Sequence, residues 1–201
     1  MLPWNRSEFA LSTTDVARAL LGSLLVHNVS YDGSEHQLVV RIVETEAYLG
    51  PEDAASHARF GKTNRSKTMF GQVGRAYVYF TYGVHWMFNV VAYRNCPAGA
   101  VLIRAGEPVS GEDIMRQFRP VRQRKQLTNG PAKLCQALGI TGEYDGLDLC
   151  ITGNSIWLAH SPSSDAFTVK TGPRIGLGSC SEPWLSQPYR YWIDGNEFVS
   201  R

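Results

Sequence analysis

Hydrophobic positions recur along the chain in two rhythms. In "STTDVARALLGSLLV", residues 12–26, Val16, Leu20 and Leu21 fall near helical spacing behind a run of capping residues, and Gly22 breaks the pattern. A short N-terminal helix is expected there. "SLLVHNV", "YDGSEH" and "QLVVRIVETEAY" then read as strand, tight turn and strand, with Asp32-Gly33 supplying the turn chemistry. "AYVYFTYGVHWMFNVVAY", residues 76–93, repeats the pattern as two aromatic and β-branched runs around "TYGV", which predicts a second hairpin with Tyr82 and Gly83 at its tip. "GAVLIRAGEPV" reads as a strand and "GEDIMRQFR" as a helix. "NGPAKLCQALGI" reads as a helix with Gly130 and Pro131 at its start and Gly139 at its end. The remainder, through "TVKTGPRIGLG" to "YRYWIDG", is strand and loop. Hairpins closed by short turns imply antiparallel pairing, and interspersed helices make this a mixed α/β domain rather than a doubly wound parallel sheet.

Composition narrows the class. A chain of 201 residues suits one domain, residues 1–201, and 43% hydrophobic with 19% charged residues is ordinary for a globular protein. The opening residues hold no apolar run of signal-peptide length, and nowhere do eighteen apolar residues run together, so an intracellular protein without membrane association is expected. Cys96, Cys135, Cys150 and Cys180 form no CxxC pair, which argues against a zinc site and a disulfide framework. No Gly-rich phosphate loop appears either; "GRAYVYFTYG" and "GLGS" match neither the dinucleotide nor the Walker pattern. No metal and no cofactor is expected.

The formal net charge of +2 conceals a segregation. From Ala54 to Gly106 there is no acid, while Arg59, Lys62, Arg65, Lys67, Arg75, Arg94 and Arg104 fall there. From Ile114 to Gly142 the same holds, with Arg116, Arg119, Arg122, Arg124, Lys125 and Lys133. On one shared face these segments would present a field suited to nucleic acid; on different faces they are ordinary solvated stretches.

The chemistry starts from "VVRIVETEAYLGPEDAASHARFG", residues 39–61, a β-branched run that ends in two acids. In strand register Leu38, Val40, Ile42, Glu44, Glu46 and Tyr48 share one face, which brings the acids to the strand's end. A carboxylate there is either paired structurally or put to use, and the spacing does not separate Glu44 from Glu46. On the aromatic hairpin, Tyr77, Tyr79 and Thr81 share one face and Val78 and Phe80 the other. Aromatics beside basic residues make stacking platforms for bases, although aromatics in strands are also common core residues. A bulky Tyr82 at an exposed tip is poorly explained by packing and well explained as a wedge between base pairs.

With Glu46, Tyr48, His57, the aromatic hairpin and "NGPAKLCQALGI" in hand, the sequence resembles the alkyladenine (3-methyladenine, or methylpurine) DNA glycosylase family from about Thr14 to the C-terminus. The most specific blocks are "ETEAYLGPEDAASH", "AYVYFTYG" followed by Asn89, "LIRAGEP" and "NGPAKLCQALGI". The resemblance implies a single domain with a curved antiparallel sheet, surrounding helices and a protruding β-hairpin, without helix-hairpin-helix, metal or cofactor. It implies a monofunctional hydrolase of base excision repair whose partner is double-stranded DNA containing damaged purines, located with the DNA inside the cell; a monomer is expected because clamping one flipped nucleotide sets no symmetry requirement for a dimer. Glu46 then matches the general base. Tyr48, His57 and Tyr79 match residues enclosing a flipped base, and Tyr82 matches the side chain filling the gap in the stack. Asn89 matches a residue crowding the guanine 2-amino group, and Arg104 one near the flipped nucleotide's backbone. Tyr77, Arg59, Arg65, Lys67 and Lys133 are expected to contact DNA, and Gly176 and Leu177 to line the pocket.

Two rival readings remain at this point. Glu44 and Glu46, two positions apart on a strand, span roughly 6.5 Å, close to the separation in an inverting glycosidase, but the acid-free basic segments suit no neutral sugar polymer. A non-catalytic module binding distorted nucleic acid would use the same wedge and basic residues and would tolerate Glu46→Gln.

Overall fold

The computed structural model describes residues 1–162, 166–178 and 180–200. Within them run three helices, α1 (Thr13–Ala19), α2 (Glu112–Phe118) and α3 (Pro131–Leu138). The strands are β1 (Leu24–Tyr31), β2 (Ser34–Tyr48), β3 (Ala76–Thr81), β4 (His85–Val91), β5 (Ala100–Ser110), β6 (Ile156–Ala159), β7 (Val169–Gly172) and β8 (Arg190–Ile193). All pair antiparallel in one curled sheet of order β3-β4-β5-β2-β1-β6, with β8 on β2 and β7 on β8. The fold is the mixed α/β arrangement that the alternation of hairpins and helices predicts. No helix among the described residues is long and apolar enough to cross a membrane.

Local chemistry sets the helix ends. The Ser12 hydroxyl accepts the Asp15 N–H at 3.2 Å to cap α1, Pro131 opens α3, and Gly139, at φ 67°, closes it. Helix α1 lies across β2 and β5, and α3 across β4 and β5. Alternation then sorts the strands. Ala76, Val78, Phe88, Val90, Val101 and Ile103 enter the main core, whereas Tyr77, Val91 and Ala100 pack in a second cluster with Ala58 and Met69 on the opposite face.

Both predicted hairpins form. Asp32 and Gly33 connect β1 to β2 with φ of 51° and 75°, and Tyr82 and Gly83 follow β3 with φ of 52° and 69°. The Val84 N–H donates to the Thr81 carbonyl at 3.2 Å to close the second turn. Two positive φ values are what the type I′ geometry requires.

Strand β2 departs from the expected alternation. Leu38, Val40 and Ile42 face the core, but Val43 does so as well, because residues 42 to 44 of β2 lie opposite only 106 to 105 of β5. One residue later the extra position falls on β5, at Arg104. This pair of compensating bulges reverses the parity of β2. Thr45 and Ala47 then point toward α1 and the core, the Thr45 hydroxyl donating to the Ala17 carbonyl at 2.7 Å. Glu44, Glu46 and Tyr48 therefore emerge on the face opposite Leu38, Val40 and Ile42, not on the same one.

Candidate active site

That parity switch builds the site. On the face opposite the main core, directly paired residues form a row across the sheet: Tyr77 on β3 opposite Asn89 on β4, Asn89 opposite Leu102 on β5, Leu102 opposite Glu46 on β2. Above this row opens a cavity of about 400 Å³, the size class of small-ligand sites. Its walls include Tyr48, His57, Tyr79, Asn89 and Arg104, with Ile175, Gly176 and Leu177 on one side and Phe60 and Tyr82 at the rim.

Glu46 is fully buried behind this lining, held by three donors that come from cavity-lining residues. The Ile175 N–H reaches one carboxylate oxygen at 2.7 Å; the Tyr48 hydroxyl and Arg104 Nη1 reach the other at 2.9 and 3.2 Å. Burial pushes its pKa above the ordinary carboxylate value, against the pull of Arg104, the Ile175 N–H and the Tyr48 hydroxyl. Tyr48, buried beside this carboxylate, stays a phenol well beyond its ordinary range. Burial works against the charge on Arg104, but Glu46 and Glu44 outweigh it and raise its pKa.

The aromatic wall is just as closely connected. His57, on a 3₁₀ turn (His57–Phe60) capped by the Ser56 hydroxyl, meets the Tyr79 ring edge-on at 4.6 Å, and its Nδ1 lies 2.8 Å from the Tyr77 hydroxyl. Burial, then the charges of Arg65 and Arg59, lower its pKa to about 4, so the imidazole is neutral at physiological pH. Burial likewise lifts Tyr79 to about 12. Asn89 is fixed by its side-chain amide, which donates to the Tyr77 carbonyl at 2.9 Å.

The structure gathers Tyr48, His57, Tyr77, Tyr79, Tyr82, Asn89, Arg104 and Arg59 around one cavity, with Glu46 buried behind its lining. It also separates their surroundings. Tyr82 is 81% exposed, whereas Tyr77 is 2% exposed and stands behind His57 and Tyr79. Arg59 lies over Phe60 at 4.4 Å, and Arg65 over Tyr79 at 5.0 Å. Lys67 is exposed on the turn that carries Met69 of the cavity wall; Lys133, two residues past Pro131, donates to the Asn129 side chain at 2.9 Å. The basic segments are partly spent internally. Arg116 and Arg124 both bond Glu112, an acid just before the acid-free stretch, Arg75 pairs with Asp148, and Arg104 is buried.

Sequence reasoning missed the supports. Arg174 makes a two-point ion pair with Asp53 at 2.6 and 2.9 Å, both side chains fully buried, and lies over the rings of Tyr48 and Tyr189 at 4.7 and 5.3 Å. This pair holds Tyr48 from behind and fixes the segment that delivers the Ile175 N–H. Asp53 lies in "ETEAYLGPEDAASH" and Arg174 in "TVKTGPRIGLG", 121 positions apart, and nothing local couples them. Among the described residues, no group of three or more His, Cys, Asp or Glu side chains is placed to hold a metal.

Comparison with known proteins gives the arrangement its context. A family model described as methylpurine-DNA glycosylase (MPG) matches residues 7–197. A protein of Natranaerobius thermophilus assigned as a 3-methyladenine DNA glycosylase is 40% identical over 195 residues, covering 96% of each chain. Another so assigned, from Chlorobaculum parvum, is 44% identical over 94% of this chain and 86% of its own length. The DNA-3-methyladenine glycosylase of Mus musculus is 43% identical over 92% of this chain and 57% of its own length. Matched along nearly its whole length and in the segments that build the cavity, the chain belongs to the methylpurine-DNA glycosylase family.

Proposed function

We propose that the cavity receives a damaged purine nucleotide turned out of duplex DNA and that Glu46 activates the water that releases its base. The observation that carries this reading is a buried carboxylate, its pKa raised, held by three residues that line an aromatic cavity large enough for one base. Cleaving the N-glycosidic bond develops positive charge on the sugar. Glu46 stabilises that charge and takes a proton from water as the water oxygen bonds to C1′. The bonding pair leaves with the base, and an abasic sugar remains. Alkylated purines are cationic and leave readily; the electron-rich rings of Tyr48 and Tyr79 favour that charged form.

The other residues take supporting roles. Tyr82 fills the gap in the base stack, and extrusion costs least at damaged or mispaired sites, which contributes selectivity. Asn89 beneath the base crowds a guanine 2-amino group. Arg59, Arg65, Lys67 and Lys133 meet the phosphates. No lysine is among the described residues lining the cavity, so the enzyme hydrolyses the bond without forming a Schiff base or nicking the strand.

The test is single-turnover base release from duplexes carrying hypoxanthine, 1,N6-ethenoadenine or 3-methyladenine. Wild type releases at least one of them, with alkali needed to break the strand, and Glu46→Gln slows release by about 10²–10⁴-fold while lesion-duplex binding persists. Tight lesion binding without release by wild type would return the protein to the class of binding modules.

A further inference from the structure

Glu44 is a buried carboxylate that the mechanism above leaves unused. One of its oxygens accepts from Arg104 Nε at 3.2 Å, Arg190 Nη1 at 3.0 Å and the Ser200 hydroxyl at 2.9 Å; the other accepts the Ser200 N–H at 2.7 Å. Arg104 is the junction between the two acids. Its Nε is committed to Glu44 and its Nη2 to the Ser200 oxygen at 3.2 Å, so only Nη1 reaches Glu46, also at 3.2 Å. The bulge on β5 at Arg104 and the bulge on β2 at Val43 place this arginine between the two carboxylates.

From this geometry we infer that Glu44 is a positioning residue, which with Ser200 holds most of the Arg104 fork away from Glu46 and so keeps Glu46 basic enough to accept a proton. The inference rests on the reading of Glu46 as the base. An arginine gripping a carboxylate with two nitrogens depresses its pKa by roughly 1–3 units, and a weaker base accepts the water proton less effectively. Glu44 prevents this by offering a second, better-bonded acceptor.

The remaining groups facing Glu46 do not replace it. From β2 comes the Tyr48 hydroxyl and from β3 Tyr79, both phenols held neutral. The segment before Gly176 supplies the Ile175 N–H and the charge of Arg174, which Asp53 engages. From β8, Arg190 lies opposite Glu46 in register, yet its charge is taken up by Glu44. Glu44 is the acid among them that raises Glu46, and the Arg104 charge is the strongest pull in the other direction. Removing the Glu44 charge and freeing the Arg104 fork therefore act with one sign.

The experiment is the pH dependence of single-turnover base release from a hypoxanthine duplex for wild type, Glu44→Gln, Ser200→Ala and Glu46→Gln, with lesion-duplex affinity measured alongside. Glu46 must be ionised to act, so activity falls as pH drops through its pKa. In Glu44→Gln that acidic limb moves to lower pH by about one unit, the plateau falls and binding is retained. Ser200→Ala, which leaves Glu44 charged but frees Arg104 Nη2, moves the limb in the same sense by less, and carries the test alone if Glu44→Gln does not fold. A limb that stays in place or moves to higher pH in the folded variants overturns the proposal. If wild type releases no base, or Glu46→Gln releases it as fast as wild type, it is the assignment of the base that fails; release lost in Glu46→Gln beside an unmoved limb removes only the role of Glu44.

Discussion

The charged floor buried beneath the cavity lining and the tip of the second hairpin are built on opposite terms. At the floor, Glu44, Glu46, Asp53, Arg104 and Arg174 are buried charges whose bonds come from β2, β5, β8 and the segments around Ile175 and Ser200. Each is fixed by partners distant in the chain. At the tip, Tyr82 is 81% exposed, and Phe80 and Val84 beside it are also exposed. Packing determines the floor completely and the ring of Tyr82 hardly at all. The floor is therefore tied to the stability of the fold, whereas the tip is left open to what meets it from outside.

The comparison predicts a graded set of effects. The largest is at the floor's support. Asp53→Ala leaves Arg174 buried without its partner and destabilises the fold by about 3–5 kcal/mol, read by denaturant unfolding. A change below about 1 kcal/mol would mean that the floor is no better determined than a surface pair. Tyr82→Ala sharpens the other side. Unfolding stability shifts by no more than about 0.5 kcal/mol, while dissociation from a lesion duplex speeds up about tenfold or more, on the scale of 1–3 kcal/mol for base–aromatic stacking. Stopped-flow dissociation separates the two; unchanged dissociation would remove the wedge.

The smallest effect concerns His57, which joins floor to rim. Its pKa in the folded protein is about 4 against an ordinary 6.5, so between these values the unfolded chain binds a proton that the folded one does not. Its contribution to stability is present above about 6.5 and is lost as pH falls toward 4. The drop in melting temperature between pH 7.5 and 5 is accordingly smaller in His57→Gln than in wild type. An equal drop would place the acid sensitivity elsewhere, with His27, whose pKa burial also lowers, the next group to examine.

Legibility in the sequence follows the range of the forces involved. Both hairpins were readable because Asp32-Gly33 and Tyr82-Gly83 are adjacent residues with turn chemistry of their own, and α3 because Pro131 and Gly139 mark its ends. The position of Glu46 at the strand's end was readable too. Its face was not, since alternation carried past Ile42 puts the acids beside the core, and the bulge that prevents this answers to Arg104, sixty residues from Glu44. The same reason hid the pairing of Asp53 with Arg174 and of Glu44 with Ser200. The basic segments are plain in the sequence, but Glu112, two residues before the acid-free stretch that begins at Ile114, draws off Arg116 and Arg124 in three dimensions.

The two turns with positive φ carry a last consequence. Asp32 tolerates the left-handed region, while an aromatic residue held there, as Tyr82 is at φ 52°, costs roughly 1–2 kcal/mol. Asn or Gly at that position would relieve the cost without touching the core. A library of this protein sorted for thermal resistance alone will therefore enrich for replacements of Tyr82, and under the wedge role proposed above those same replacements weaken the grip on an opened duplex. Stabilising the enzyme for use calls for a sort that couples survival to base release, with the hairpin tip left out of the mutated positions.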